Sequence, residues 1–339
     1  MEKRARHINI PIFVQHMGCP NQCVFCDQHA ISGTHSFDIS KVRADIEAVL
    51  ETAGDAQCEI AFFGGSFTGI ERGLMISLLD TAQEYVDAHR VSGIRMSTRP
   101  DYISREITDI LHNYTVSQVE LGIQSFSDKV LLANKRGHTA KESVEACRLL
   151  VREGFSFVGQ MMTGLLAADT QSEQETARMI CELGAEGTRI YPCIVFKNTP
   201  LAEMTKRGEY IPLTFEEAVE RSASVLRIFI DNGVPCLKIG LHESENLHSE
   251  KTYLAGPNHP ALGEAVRGRV YYDMILSKLK DTDCRGRILT VEVPRGAVST
   301  VVGQHRMYKN AIAEKTSAKC VKILENKDKM EYNISIKII

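Results

Sequence analysis

A chain of 339 residues, 43% apolar and 24% charged with a net charge of −3, has material for one large α/β domain and a smaller companion. No run approaches the ~18 uninterrupted apolar residues of a membrane span. The charged start Met1-Glu2-Lys3-Arg4 holds no secretory apolar region, so a cytoplasmic protein without a membrane partner is expected. The ten cysteines are too scattered for a secreted disulfide framework, and the near-neutral balance neither invites nor forbids nucleic acid.

The strand-like run His7–Val14 leads into Cys19-Pro20-Asn21-Gln22-Cys23-Val24-Phe25-Cys26. Three thiols at CxxxCxxC spacing suit an iron–sulfur cluster; a [4Fe–4S] cube normally takes four, so three leave one iron open to a small molecule. A zinc site with His16 or His29 as fourth ligand, or three unrelated buried cysteines, would use the same residues. The other seven cysteines read as small buried hydrophobes; only Cys193, beside Tyr191, invites a test for thiolate or radical chemistry.

Beyond this loop Asp38 reads as a helix cap ahead of Val42, Ile46, Val49 and Leu50. Further strands are expected at Glu59–Phe63, Ile94–Ser97, Gln118–Gly122, Ser156–Met162 and Thr188–Val195, with helices over 104–113, 140–153, 171–184 and 214–231 among those between and after them. Six successive β-α units predict a parallel sheet with helices outside, a partial (β/α)6 barrel over residues 1–240. The unusual clusters fall at strand C-terminal ends, the edge that carries active sites in such barrels. They are Gly64-Gly65-Ser66, Ser97 to Asp101 with Arg99, Gln124 followed by Arg136-Gly137-His138, Gln160 with Gly164, and Tyr191. No residue is assigned as catalytic.

Residues 241–285 read as a connecting loop and helix; His242 to His248 could lie over the barrel mouth. Residues 286–339 give a β-α-α-β-β order with Gly303-Gln304-His305-Arg306 between the helices, similar to a KH-type RNA-binding unit. Its GxxG clamp would have Arg306 in place of the second glycine, with Arg306, Lys309 and Lys319 available to phosphates.

Taken together, Cys19–Cys26, Gly64-Gly65, Glu120-Leu121-Gly122-Ile123-Gln124-Ser125 and Arg136-Gly137-His138-Thr139 resemble the radical S-adenosylmethionine (SAM) proteins of the Elongator catalytic-subunit group. The resemblance extends through Met162-Thr163-Gly164-Leu165 and Arg189-Ile190-Tyr191-Pro192 to about residue 240. It implies a radical SAM barrel in which Cys19, Cys23 and Cys26 hold a [4Fe–4S] cluster. Phe25, Gly64, Gly65, Ser66, Ser97, Gln124, Arg136 and Gln160 would bind SAM, with Phe25 against the adenine and the Arg136 fork on the carboxylate. It further implies an electron donor such as flavodoxin or ferredoxin, and RNA, tRNA above all, as substrate through the C-terminal unit. The chain ends at Ile339, leaving no room for the acetyltransferase domain of the Elongator subunit, and its cysteine spacing is shorter. Oxygen-independent coproporphyrinogen oxidases share the Gly-Ile-Gln-Ser and Arg-Gly-His elements, so a tetrapyrrole or other small-molecule enzyme is one alternative, and a haem or cluster chaperone another.

Overall fold

The computed structural model describes residues 6–14, 18–19, 23–27, 37–241 and 251–339. Seven strands form one wholly parallel sheet. They are β1 (His7–Phe13), β2 (Gln57–Phe63), β3 (Ile94–Thr98), β4 (Val116–Gln124), β5 (Phe157–Thr163), β6 (Gly187–Pro192) and, after the short β7 (Val195–Phe196), β8 (Cys236–Ile239). Their spatial order follows chain order from β1 through β6 to β8. Each crossover is helical, because parallel neighbours cannot be joined by a tight hairpin. The crossover helices are α1 (Val42–Ala53), α2 (Arg72–Asp87), α3 (Arg105–Leu111), a short α4 (Asp128–Ala133) with α5 (Ala140–Arg152), α6 (Thr170–Glu182), and a short α7 (Pro200–Lys206) with α8 (Phe215–Asp231).

This is the partial (β/α)6 barrel expected from the sequence, with two differences. A seventh strand, β8, pairs beyond β6, where the sequence reading stopped at six. Four residues after Val234-Pro235 are too few to show a period. The expected sixth strand Thr188–Val195 also divides: β6 ends at Pro192, and Val195–Phe196 pairs antiparallel with β9 (Tyr253–Ala255). Proline cannot donate to the ladder, so the chain leaves the sheet there.

Local chemistry sets the helix starts. Thr139 with Glu142, Asp169 with Ser172, and Thr214 with Glu217 form reciprocal capping boxes on α5, α6 and α8. Asp38 does act as a cap, on a 3-10 turn (Ile39–Lys41) that precedes α1. Apolar stripes such as Ala146, Cys147 and Leu150 on α5, or Val225, Leu226 and Phe229 on α8, then close over the sheet. Gly159 lies so close beneath α6 that a Cβ would come within 2.6 Å of Ile180 Cγ2.

Helix α9 (Leu262–Leu279) serves two cores: Leu262, Val266 and Val270 join the barrel core, and Tyr271, Ile275 and Leu279 join a second. That second core lies under β10 (Ile288–Val293), with β11 (Cys320–Glu325) parallel and β12 (Ser335–Ile338) antiparallel on its flanks. Between β10 and β11 run α10 (Val298–Val302) and α11 (Met307–Thr316), the β-α-α-β-β order expected. His305 and Arg306 both adopt left-handed backbone, φ 50° and 63°. Arg306 thus holds the conformation that a second glycine would supply without steric cost.

Two stability measurements test this account. The buried Glu173 carboxylate accepts from both Arg221 Nε, at 2.9 Å, and Arg221 Nη2, and also from the Gly164 backbone N–H at 2.6 Å. Glu173→Ala leaves the half-buried Arg221 guanidinium and the buried Gly164 N–H without their acceptor, so urea unfolding will show a loss of about 2–4 kcal/mol; a loss below 1 would contradict this pairing. Arg306→Gly relieves the left-handed strain and will stabilise by about 1 kcal/mol; destabilisation would show that the side chain is needed for folding.

Candidate functional site

The parallel arrangement brings every strand's C-terminal end to one edge, and the cysteine loop lies there. Gly18, at φ 72°, packs so tightly on the next loop that a Cβ would sit 2.4 Å from Ser66 O and 2.5 Å from the Gly69 carbonyl carbon. Cys23 is buried, and Cys19 and Cys26 are half-buried. Backbone bonds from Val24 N to Asn134 O, 3.2 Å, and from Leu201 N to Val24 O, 2.9 Å, tie the loop to the end of α4 and the start of α7. Burial pushes the Cys19 thiol above its ordinary range, against the pull of Arg99 and Arg136.

At the end of β2, Gly64 takes φ 93° and Gly65 follows, both half-buried. The buried Ser66 hydroxyl is already engaged: it lies 2.8 Å from Thr98 Oγ1 and accepts from the Arg99 backbone N–H at 3.2 Å. Thr98 in turn meets Thr68 Oγ1 at 2.6 Å. This serine side chain therefore knits two strand ends together and does not present its hydroxyl to a ligand. Ser97 shares register with Glu120 and so lies on the barrel-interior face of β3.

Gln124 ends β4 in left-handed conformation, φ 66°, at a break in register, and its buried Oε1 has no partner. Arg136, expected to offer a free fork, donates through Nη1 to Cys23 Sγ at 3.2 Å and through Nη2 to Gly122 O at 2.7 Å. Its Nε–H is buried and unpaired. His138 is wholly buried nearby, with Nδ1 3.7 Å from Asp101. Burial, followed by Arg136 and Arg99, holds its pKa down to about 3, so the ring is neutral.

A cavity of about 190 Å3 opens beside Cys26. Phe25, Gln124, Gln160 and Tyr191 line it, and Ile194 and Phe196 form its apolar wall. Below, Gln160 Nε2 donates to Glu120 Oε2, and Arg189 Nη2 pairs with Glu120 Oε1, both at 2.8 Å. Arg95 reaches Glu59 Oε2 at 3.3 Å and also bonds Gln118. Burial pushes the Tyr191 phenol up to about 12.

Sequence reasoning missed Glu120, Arg95 and Glu59 as interior residues. The available signal was alternation: in strands buried on both faces, a polar residue at every second position must face a polar interior. Cys193 does not reach the cavity; it is fully buried with Val24, Leu165 and Leu201, and burial raises its thiol to about 12. A reactive role for it is set aside, because an inert protonated thiol is what such surroundings produce. His16, His29 and the segment 242–248 lie outside the described residues.

The donor set suits an anionic cluster held by three thiols. Arg99 Nη1 and Arg136 Nε are buried N–H groups without acceptors, which interiors rarely tolerate. Among the described residues no three His, Cys, Asp or Glu side chains converge on a single metal ion. Cysteines that each take a different iron of one cluster need no such convergence.

The family model of the radical SAM superfamily matches residues 16–180, and that of the radical SAM C-terminal domain matches 185–272. The tRNA uridine(34) acetyltransferase of Methanocaldococcus jannaschii is 33% identical over 153 residues, 44% of this chain and 28% of that protein. Elongator complex protein 3 of Homo sapiens is 33% identical over 140 residues, covering 40% and 25%. The chain thus spans about a quarter of these curated relatives. Among solved structures, archaeal Methanocaldococcus infernus Elp3 with an N-terminal deletion aligns with a TM-score of 0.62 at 22% identity, over 85% of this chain and 66% of that one. Coproporphyrinogen III oxidase from Escherichia coli aligns at 0.51 and 14% identity, over 79% and 59%. These two likenesses show the fold.

His138 provides a pH test. Its folded pKa, about 3, lies below the unfolded value near 6.5, so the unfolded state binds the proton first as pH falls. Its contribution is intact above about pH 6.5 and declines down to about pH 3, costing roughly 2–3 kcal/mol at pH 4.5. Urea titrations at pH 7 and 4.5 will show a smaller acid loss in His138→Gln than in the parent; equal losses would refute the buried neutral ring.

Proposed function

Because the chain belongs to the radical SAM superfamily, whose enzymes use a [4Fe–4S] cluster and SAM, we propose that it cleaves SAM reductively and modifies a base of tRNA. The observation that carries the first half is that Cys26 and Phe25 share a cavity with Gln124, Gln160 and Tyr191 at the strand edge. Held there, a [4Fe–4S] cluster and SAM would supply one-electron reductive cleavage of the sulfonium.

The chain's own residues divide the remaining work. Cys19, Cys23 and Cys26 hold the cluster, and Arg136 orients Cys23 through the 3.2 Å bond to its sulfur. Gly64 and Gly65 permit close approach of backbone to the SAM amine. Ser97 and Gln124 face the interior for ribose and amino-acid groups, and Phe25 offers its ring to the adenine. Gln160, held by Glu120, forms the cavity floor. Ser66 contributes by holding the glycine loop against Thr98. The apolar wall of Ile194 and Phe196 would keep water from that side of the cavity.

The tRNA half rests on the relatives' names and on charge. Residues 286–339 carry ten Lys and Arg against five Asp and Glu, in a chain whose net charge is −3. Arg306 and Lys319 are exposed on that unit, Lys309 half-buried, and such cations bind phosphate backbone with strong salt dependence. An electron donor such as flavodoxin or ferredoxin would serve the cluster in the cytoplasm; among the described residues no helix is long and apolar enough to cross a membrane.

Nucleoside mass spectrometry of tRNA from a deletion strain will show one modified nucleoside missing, restored by the parent gene and not by Cys23→Ala. Purified protein with dithionite and SAM will release 5′-deoxyadenosine, reduced at least 100-fold in Cys23→Ala. Unchanged nucleoside profiles with undiminished 5′-deoxyadenosine release would remove tRNA and leave a small-molecule substrate; no release from the parent would sink the catalytic reading and favour a chaperone.

A further inference from the structure

We infer that Arg99 is a second buried cation of the cluster site, fixed by Asp101, and that it raises the reduction potential of the bound cluster. The inference rests on the reading of Cys19, Cys23 and Cys26 as cluster ligands. The Arg99 side chain is only 4% exposed, and its fork is half spent: Nε and Nη2 donate to the two Asp101 oxygens at 2.9 and 2.8 Å. Nη1 remains buried with no acceptor. A guanidinium held this rigidly by one carboxylate and left with an unused N–H is built to meet a further anion.

The backbone places that cation at the cysteine loop. Arg99 N–H donates to Ser66 Oγ, and Gly18, next to Cys19, packs directly on Ser66 O. Its charge is felt at both Cys19 and Cys23, consistent with this placement. The groups around the pair are accounted for. His138, buried and neutral, stands 3.7 Å from Asp101, and Arg136 spends its Nη groups on Cys23 and Gly122. Positive charge beside a cluster favours its more negative, reduced form, and net charge around the sulfurs is one of the levers that set cluster potentials.

Reduction adds one electron to the oxidised cluster, supplied by dithionite in an EPR-monitored redox titration of the reconstituted protein. Arg99→Gln will make the cluster about tenfold harder to reduce, a midpoint about 59 mV more negative for a one-electron couple. Arg99→Lys, which keeps the charge, will recover most of that shift. Asp101→Asn removes the compensating carboxylate and will move the midpoint the other way, to more positive potential. Loosened packing alone would not give opposite signs for the two partners. A midpoint unmoved in Arg99→Gln at full iron content, or moved in the same direction by Arg99→Gln and Asp101→Asn, overturns the inference. If Arg99→Gln fails to hold iron, Arg99→Lys and Asp101→Asn decide it on the same criteria, a positive shift in the latter with Arg99→Lys near the parent being required. A parent protein without iron or cluster signal would instead bring down the cluster reading beneath it.

Discussion

The structure depends on the uniform direction of its main sheet. Parallel strands demand helical crossovers, and those crossovers deliver each strand's C-terminal end to the same rim. Residues as distant in sequence as Cys26, Gln124 and Tyr191 meet around one cavity for that reason. The helices carry the apolar surface that the outer face of the sheet requires, which frees the inner face for polar side chains. Function can then occupy the rim while ordinary packing supplies the stability.

The inner face has its own consequence. Glu120, Arg189, Arg95 and Glu59 are charges almost out of reach of water, and each finds a partner on the adjacent strand or the next but one. Removing a member would leave a stranded charge, so the network constrains the interior as a unit. Gln160 is anchored in it through Glu120 and simultaneously lines the cavity. The floor of the site is therefore as rigid as the network beneath it. At the rim the pattern repeats with Arg99 and Asp101, and with Arg136 against Cys23 and Gly122. Each arginine keeps one buried N–H in reserve.

Much of this was legible beforehand. The Asp38 cap, the strand–helix alternation and the glycine-rich strand ends are local patterns, and they appear where local chemistry puts them. What escaped was short or cooperative. The strand Cys236–Ile239 is too brief to show a period, and the fold at Val195–Phe196 depends on a partner some sixty residues later. Ser66 and Arg136 were expected to face a ligand, yet their hydrogen-bond partners come from neighbouring strand ends that spacing does not reveal. Helix Leu262–Leu279 looked like a connector and proved to be shared by two cores.

The sequence by itself determined the chemistry of the donors: three thiols on one loop, glycines after a strand, an arginine twelve residues beyond Gln124, and a basic final unit. Residue type and short spacing suffice for that, because ligand chemistry and turn conformation are local properties. Only the tertiary structure decided which of these groups remain available. Cys193 sinks into an apolar cluster, Ser66 is consumed by Thr98, and Arg99 emerges with a free N–H because Asp101 takes the other half of its fork. Burial and hydrogen-bond partnership are set by whichever elements the fold brings together, and they decide what a side chain has left to offer.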